Sequence, residues 1–320
     1  MSWAHTATFY EQLAVTLDAG LTVVQAVQLA GDTAGGPFRA HGVAWSTGCA
    51  AGRGMAEQLA QTRQPMFDIA LVKAGETSGR LPELCRELAA NYRHRIALRN
   101  LVVSRLIYPV LLIHVTLMTA GVVLAFLCGW GLWIILGLPL ALWVLVGGCF
   151  AGFRLLGANR QAHLALIGPF APLTLPLVGA NTCTVLRAAL SAGLMGPDAL
   201  ELTAGACGNR VLAAQLMEAA RDLRHNRLDS ITAALARARL PPIVIDHVKT
   251  GEFSGKLDQN LGQAAILMRE SFRLRAEWTA RVVCGLIYGG AMLAGAVLIL
   301  FVVSGYVNML GDVMKDQPGG

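Results

Sequence analysis

A carboxylate set between two glycines and followed by a cation occurs twice in this chain. The first copy is Gly75-Glu76-Thr77-Ser78-Gly79-Arg80-Leu81 and the second Gly251-Glu252-Phe253-Ser254-Gly255-Lys256-Leu257. Glycines ahead of a lysine invite comparison with a loop whose backbone N–H groups cradle phosphate. Such a loop needs four residues between its glycines and a Ser or Thr after the lysine. Here three residues intervene, Leu257 follows Lys256, and a glutamate stands where phosphate would approach. The pattern argues against nucleotide binding. Two readings stay open. In the first, a helix ends at Gly75 or Gly251, the chain turns through the second glycine, and the carboxylate stabilises the positive start of the next helix by a few tenths of a kcal/mol, roughly. In the second, Glu76 or Glu252 and the adjacent Arg80 or Lys256 form an edge presented to a partner.

Other catalytic constellations are missing from the sequence. His5, His41, His94, His114, His163, His225 and His247 are scattered without metal-ligand spacing, and there is no Gly-x-Ser-x-Gly elbow. The seven cysteines (49, 85, 128, 149, 183, 207 and 284) form no Cys-x-x-Cys pair and imply no disulfide framework. His114 lies inside a long uncharged run, and an ionisable group in such a place is a functional candidate. The plainer reading is a neutral imidazole hydrogen-bonded across a helix interface.

Positioning these residues falls to a repeated helical unit. Leu17-Asp18-Ala19-Gly20-Leu21 reappears as Leu190-Ser191-Ala192-Gly193-Leu194, and Lys73–Leu81 as Lys249–Leu257 with six of nine positions identical. Gly20 and Gly75 are 55 residues apart, Gly193 and Gly251 58 apart, and both motif glycines precede an uncharged run by 31 residues. Agreement in sequence, order and spacing marks a duplication. Leu13, Leu17, Leu21, Val24 and Val27 recur at helical steps. Gly20 and Gly193 fit positions just past helix ends. Pro82 and Pro197 suit first turns of helices, and Pro65 and Pro241-Pro242 mark breaks before helices. Each copy therefore reads as a bundle of five or six helices. After Leu81 no breaker intervenes until Pro109, so one helix of about 70 Å is expected from 82 to 128.

Hydropathy fixes what surrounds the bundles. Of 320 residues only 14% are charged and 55% are hydrophobic, which excludes disorder and an ordinary soluble composition. Residues 106–153 hold 48 positions without Asp, Glu, Lys or Arg, and residues 282–311 hold 30. A spanning helix needs about 20 apolar residues. The expected spans are 106–128, 132–153 and 282–307, giving an all-α membrane protein with bundles at 1–105 and 154–281 and an outer tail at 308–320. The segment 1–105 carries 10 Lys/Arg against 8 Asp/Glu, and 154–281 carries 15 against 10. Basic residues favour the cytoplasmic side, placing both bundles and the N-terminus inside and the C-terminus outside. The net charge of +6 then reports topology and attraction to anionic lipid rather than nucleic-acid binding. Residues 1–19 include Glu11 and Asp18 and lack the apolar stretch of a secretory leader. Gly148-x-x-x-Gly152 and Gly285-x-x-x-Gly289 suit close helix contact.

These residues resemble the type II secretion system F family, the inner-membrane platform proteins of type IV pilus and type II secretion machines. The resemblance rests on Phe9, Leu13 and Ala19-Gly20-Leu21, on both Gly-Glu-x-Ser-Gly-x-Leu motifs, on Tyr108-Pro109 and on Leu175-Pro176-Leu177-Val178-Gly179. It implies a non-enzymatic protein without cofactor, in the bacterial inner membrane, that couples a cytoplasmic hexameric assembly ATPase to extraction of pilin or pseudopilin subunits. Other inner-membrane assembly proteins and further copies of itself are its implied partners. The short segment between the first two spans, and Tyr288-Gly289 in place of Tyr-Pro, fit a compact type IVb or conjugative pilus branch. The rival readings are an intramembrane enzyme built around His114 and a small transporter, the latter poorly served by spans so free of charge.

Overall fold

The computed structural model describes residues 2–127, 133–158, 162–238 and 240–315, and every regular element among them is helical. Helices α1 (Trp3–Asp18), α2 (Val23–Ala34), α3 (Pro37–Ala50), α4 (Met55–Gln61) and α5 (Met66–Ser78) precede the 47-residue α6 (Leu81–Leu127). Then come α7 (Ile134–Ala158), α8 (Ala162–Ser191), α9 (Gly196–Ala206), α10 (Arg210–Arg224), α11 (Ile231–Arg237), α12 (Pro242–Ser254) and the 59-residue α13 (Leu257–Lys315). The start of α6 completes six helices in the first copy. The end of α8 and the start of α13 complete six in the second.

Two compact units result. One joins Met1–Arg99 to Pro172–Leu274 and contains both copies of the repeat; the other joins Asn100–Ala171 to Arg275–Gly320. In the first unit, copy one is built on large aromatic side chains. Phe9 stacks on Phe38 at 4.9 Å and meets Trp45 edge-on at 5.4 Å, with Met55, Leu59, Leu71 and Leu88 closing the core. Val185, Ala188 and Ala206 from copy two are buried in the same cluster, so the copies share apolar surface. Copy two has a core of smaller side chains, including Leu186, Leu200, Leu216, Leu235, Val244, Val248 and Leu261.

Local chemistry explains the breaks. Thr22 and Gln25 form a reciprocal cap at the start of α2. Pro65 and Pro241 occupy the caps of α5 and α12, and Gly20 and Gly193 follow α1 and α8 with φ of +84° and +80°. One expectation is corrected. Gly75 and Gly251 lie inside helices, which continue to Ser78 and Ser254 and end at the left-handed Gly79 and Gly255 (φ +70° and +68°). Glycine does not itself end a helix, and packing demands it here: a Cβ at either position would stand 2.9 Å from the Cα of Leu81 or Leu257. Leu175–Gly179, expected ahead of the second copy, lies within α8.

In the second unit, α6 and α13 are long and apolar enough to cross a bilayer. Helix α7 contributes a shorter apolar stretch over Ile135–Val144 among the described residues. It runs to Ala158, past the expected end at 153, because Arg154 does not break a helix. Tyr108 and Tyr288 meet at 5.8 Å, and the Cys284 thiol donates to the Arg105 carbonyl at 3.6 Å. Pro109 sits within α6 without ending it. Helix α13 runs on to Lys315, into the segment expected as an outer tail at 308–320, while Cys128 and residues 316–320 lie outside the described residues.

Candidate functional site

Each motif glutamate caps a helix, and it is not the helix that follows the motif. Glu76, on the last turn of α5, accepts hydrogen bonds from the N–H groups of Met55 (2.5 Å) and Ala56 (3.2 Å) at the start of α4. Glu252, on α12, accepts from the N–H groups of Ile231 (2.8 Å) and Thr232 (3.2 Å) at the start of α11, and from the Thr232 hydroxyl. The carboxylate thus neutralises the positive end of a helix 20 to 21 residues upstream. This corrects the assignment of the stabilised helix to the one starting at Leu81 or Leu257. Gly54, the N-cap of α4, has no side-chain oxygen, and its missing Cβ leaves room for the carboxylate. At α11 the N-cap is Ser230, whose hydroxyl already takes the Ala233 N–H at 3.1 Å.

The cations of the motif, and Phe253, face water. Arg80 pairs with Glu83 at 2.7 Å, a surface pair worth little. Lys256 is exposed, and Phe253, where copy one has Thr77, is 84% exposed. Leu81 and Leu257 pack against the two cores. Between the copies, a cavity of 270 Å³ is lined by Ser78, Arg80, Glu83, Glu87, Arg187 and Asp258 among others. At its edge Glu87 of α6 pairs with Arg187 of α8 and lies 3.9 Å from Arg269 of α13. Burial pushes the Arg269 guanidinium below its ordinary pKa, the Glu87 charge opposing that shift.

A second polar cluster escaped the sequence reading. Asp68 is buried in copy one, and its Oδ2 accepts from the hydroxyls of Tyr10 (3.0 Å) and Tyr92 (2.8 Å). Burial raises its pKa to about 6, against the lowering effect of the two hydroxyls and of the Arg95 charge. The available signal was an acid between Phe67 and Leu71 on an otherwise apolar face, but its partners lie 58 and 24 residues away.

His114 has both ring nitrogens engaged. The Trp143 indole N–H donates to Nε2 at 2.9 Å, which assigns the proton to Nδ1, and Nδ1–H donates to the Val110 carbonyl at 2.7 Å. A hydrogen-bonded neutral imidazole fits both contacts. Among the described residues no group of three or more His, Cys, Asp or Glu side chains is placed to hold a metal ion.

The duplicated carboxylate caps, at matched spacing in two bundles that each run into a long apolar helix, agree with what comparison finds. The chain matches the family of type II secretion system protein F over residues 9–129 and 182–306, one match for each copy with its helix. The chain belongs to this family. It is 29% identical to a type 4 fimbrial assembly protein PilC of Pseudomonas putida, over 90% of this chain and 81% of that protein. A type IV pilus assembly protein PilC of Thermus thermophilus is 28% identical over 95% of this chain and 83% of its own length. A type II secretion system protein F of Pseudomonas aeruginosa is 27% identical over 64% and 57%. In this F-family chain the motif glycines and glutamates have structural work in both halves, and the charged and aromatic tips lie outside it.

Proposed function

We propose that this F-family protein is an inner-membrane assembly platform of a type IV pilus or type II secretion machine, without catalytic turnover of its own. The observation that supports this most is the joining of each bundle to an apolar helix with no break: α6 leaves copy one and α13 leaves copy two. In this reading both bundles and the N-terminus are cytoplasmic, three spans include α7, and the C-terminus is periplasmic. A cytoplasmic assembly ATPase engages the bundles, and the spans meet pilin or pseudopilin subunits as these leave the bilayer. Names of the relatives support the class of machine.

With Glu76 and Glu252 committed to caps, the docking edge of the motif reduces to its exposed members. Arg80, Lys256 and Phe253 are assigned to it, an aromatic anchor flanked by cations being suited to an acidic and apolar partner surface. Co-purification of the full chain with the assembly ATPase of the same cell tests this. Lys256→Glu with Phe253→Ala is expected to lose the ATPase while the chain stays in the membrane fraction. Undiminished co-purification of this variant and of Arg80→Glu defeats the docking assignment, and loss of the wild-type chain from the membrane fraction defeats the platform reading. The intramembrane-enzyme alternative needs a base at His114, whose lone pair already accepts from Trp143.

A further inference from the structure

The end of copy one where α6 leaves the bundle holds a cationic cavity. Its volume is 420 Å³, and its walls are Trp3 and Thr6 of α1, Thr62 to Pro65 of the α4–α5 connection, and Tyr92 and Arg95 of α6. The Arg95 guanidinium lies over the Tyr92 ring, 5.4 Å from its centroid, which fixes its plane. Its Nε is buried without a hydrogen-bond partner among the described residues. No ion pair joins Arg63 or Arg95 to a carboxylate among those residues, and Asp68, which feels the Arg95 charge, is committed to two tyrosine hydroxyls. Arg63 is exposed and holds φ of +55°, a backbone conformation that non-glycine residues seldom adopt. Trp3 stands exposed at the rim.

The duplication supplies an internal control. The shift that carries Gly75 onto Gly251 carries Tyr92 onto Met268, Arg95 onto Ser271, Thr62 onto Ala238 and Gln64 onto Leu240. Copy two is thus apolar or neutral in sequence at these four positions, while Arg63 and Pro65 recur as Arg239 and Pro241. The second guanidinium, at Arg95, is therefore particular to copy one, where Ser271 stands in copy two. Two guanidiniums facing a cavity suit phosphate oxygens. Arg95 also precedes the uncharged run at Leu106 by about three turns of helix, about 16 Å, and an exposed tryptophan at the rim suits the headgroup layer.

We propose that this cavity binds the phosphate of an anionic phospholipid headgroup, with Arg63 and Arg95 as its ligands and Trp3 lying along the lipid. The proposal rests on the reading that α6 enters the bilayer.

The test is native mass spectrometry of the full chain in detergent, titrated with phosphatidylglycerol, with phosphatidylcholine and with inorganic phosphate. Wild type is expected to favour phosphatidylglycerol by about tenfold, and Arg63→Gln with Arg95→Gln to bring the two lipids to parity. Arg63→Gln alone, at an exposed side chain, is expected to lose part of the preference with unfolding temperature unchanged. Arg39→Gln, at an exposed arginine paired with Asp32 elsewhere in copy one, is expected to keep it. Parity in wild type, or a preference surviving in the double variant, overturns the site. Inorganic phosphate binding as tightly as phosphatidylglycerol overturns the lipid and assigns a soluble phosphate compound instead. The platform reading fails separately, by fractionation and ATPase co-purification, neither of which requires the two arginines.

Discussion

The two copies of the repeat keep one framework and fill it differently. Both have the in-helix glycine where a Cβ would stand 2.9 Å from the Cα of the following leucine, the left-handed glycine that ends the helix, and the glutamate that caps a helix 20 to 21 residues upstream. Their interiors diverge. The positions of Tyr10, Asp68 and Tyr92 in copy one are Cys183, Val244 and Met268 in copy two, all buried. A carboxylate with two hydroxyl donors and an apolar trio therefore serve the same place in the same fold. A buried polar group is tolerated when its partners come with it, and an apolar replacement of the whole set needs no compensation. What the scaffold cannot vary is backbone geometry and the cap. What it can vary is everything whose partners vary together.

That contrast can be broken at graded cost. The largest effect is expected from Asp68→Val, which installs the residue of copy two while leaving two buried tyrosine hydroxyls without an acceptor. A loss of about 3 kcal/mol is expected, read by denaturant or thermal unfolding of the detergent-solubilised chain. The matching change in copy two, Val244→Ala, removes only methyl groups and is expected to cost about 2 kcal/mol through its cavity. If Asp68→Val proves neutral, the tyrosines find other acceptors and the polar trio is dispensable.

A pH dependence follows from the same residue. The folded pKa of Asp68 is about 6, raised from 3.8, so folding favours the protonated acid. Its stabilising contribution is fully present below pH 3.8 and is lost as pH rises through 6, reaching about 2 kcal/mol in size after discounting for incomplete burial. The unfolding temperature of wild type, corrected by that of Asp68→Asn at each pH, is expected to fall between pH 5 and pH 7. A difference that stays flat across that interval removes the claim.

Gly75→Ala and Gly251→Ala test the shared framework. Each places a Cβ against backbone, which cannot swing aside, and about 2 kcal/mol of destabilisation is expected in both copies alike. The smallest effect sharpens the comparison instead of breaking it. Glu76→Gln is expected to cost about 1 kcal/mol and Glu252→Gln about half as much, because Ser230 supports α11 whereas Gly54 gives α4 no cap of its own. Equal losses would mean that the Ser230 hydroxyl adds nothing to the carboxylate.

The repeat, the helical class and the long apolar helices were legible because each is a pattern of local spacing: matched glycines, three- and four-residue apolar steps, and long uncharged runs. Helix bounds at Gly20, Gly193, Pro65 and Pro241 followed for the same reason. Gly75 was misplaced because a glycine kept for a close approach looks in sequence like one kept for a turn. The partners of Glu76 and Glu252 were illegible since they are main-chain N–H groups, which no residue type advertises. Asp68 and the Arg63–Arg95 cavity join segments from three elements, and neither recurs fully in the other copy to draw notice.

The carboxylate caps also have a mechanical meaning. A single side chain near the tip of α5 grips the root of α4, and its twin on α12 grips α11, so a push on either tip is shared at once by two helices whose axes start in different places. Each lobe is thereby cross-braced beside the motif's exposed cation and, in the second lobe, its bared phenyl ring. On the docking proposed above, force delivered there would be spread through a braced frame before reaching the long rod that begins beside it.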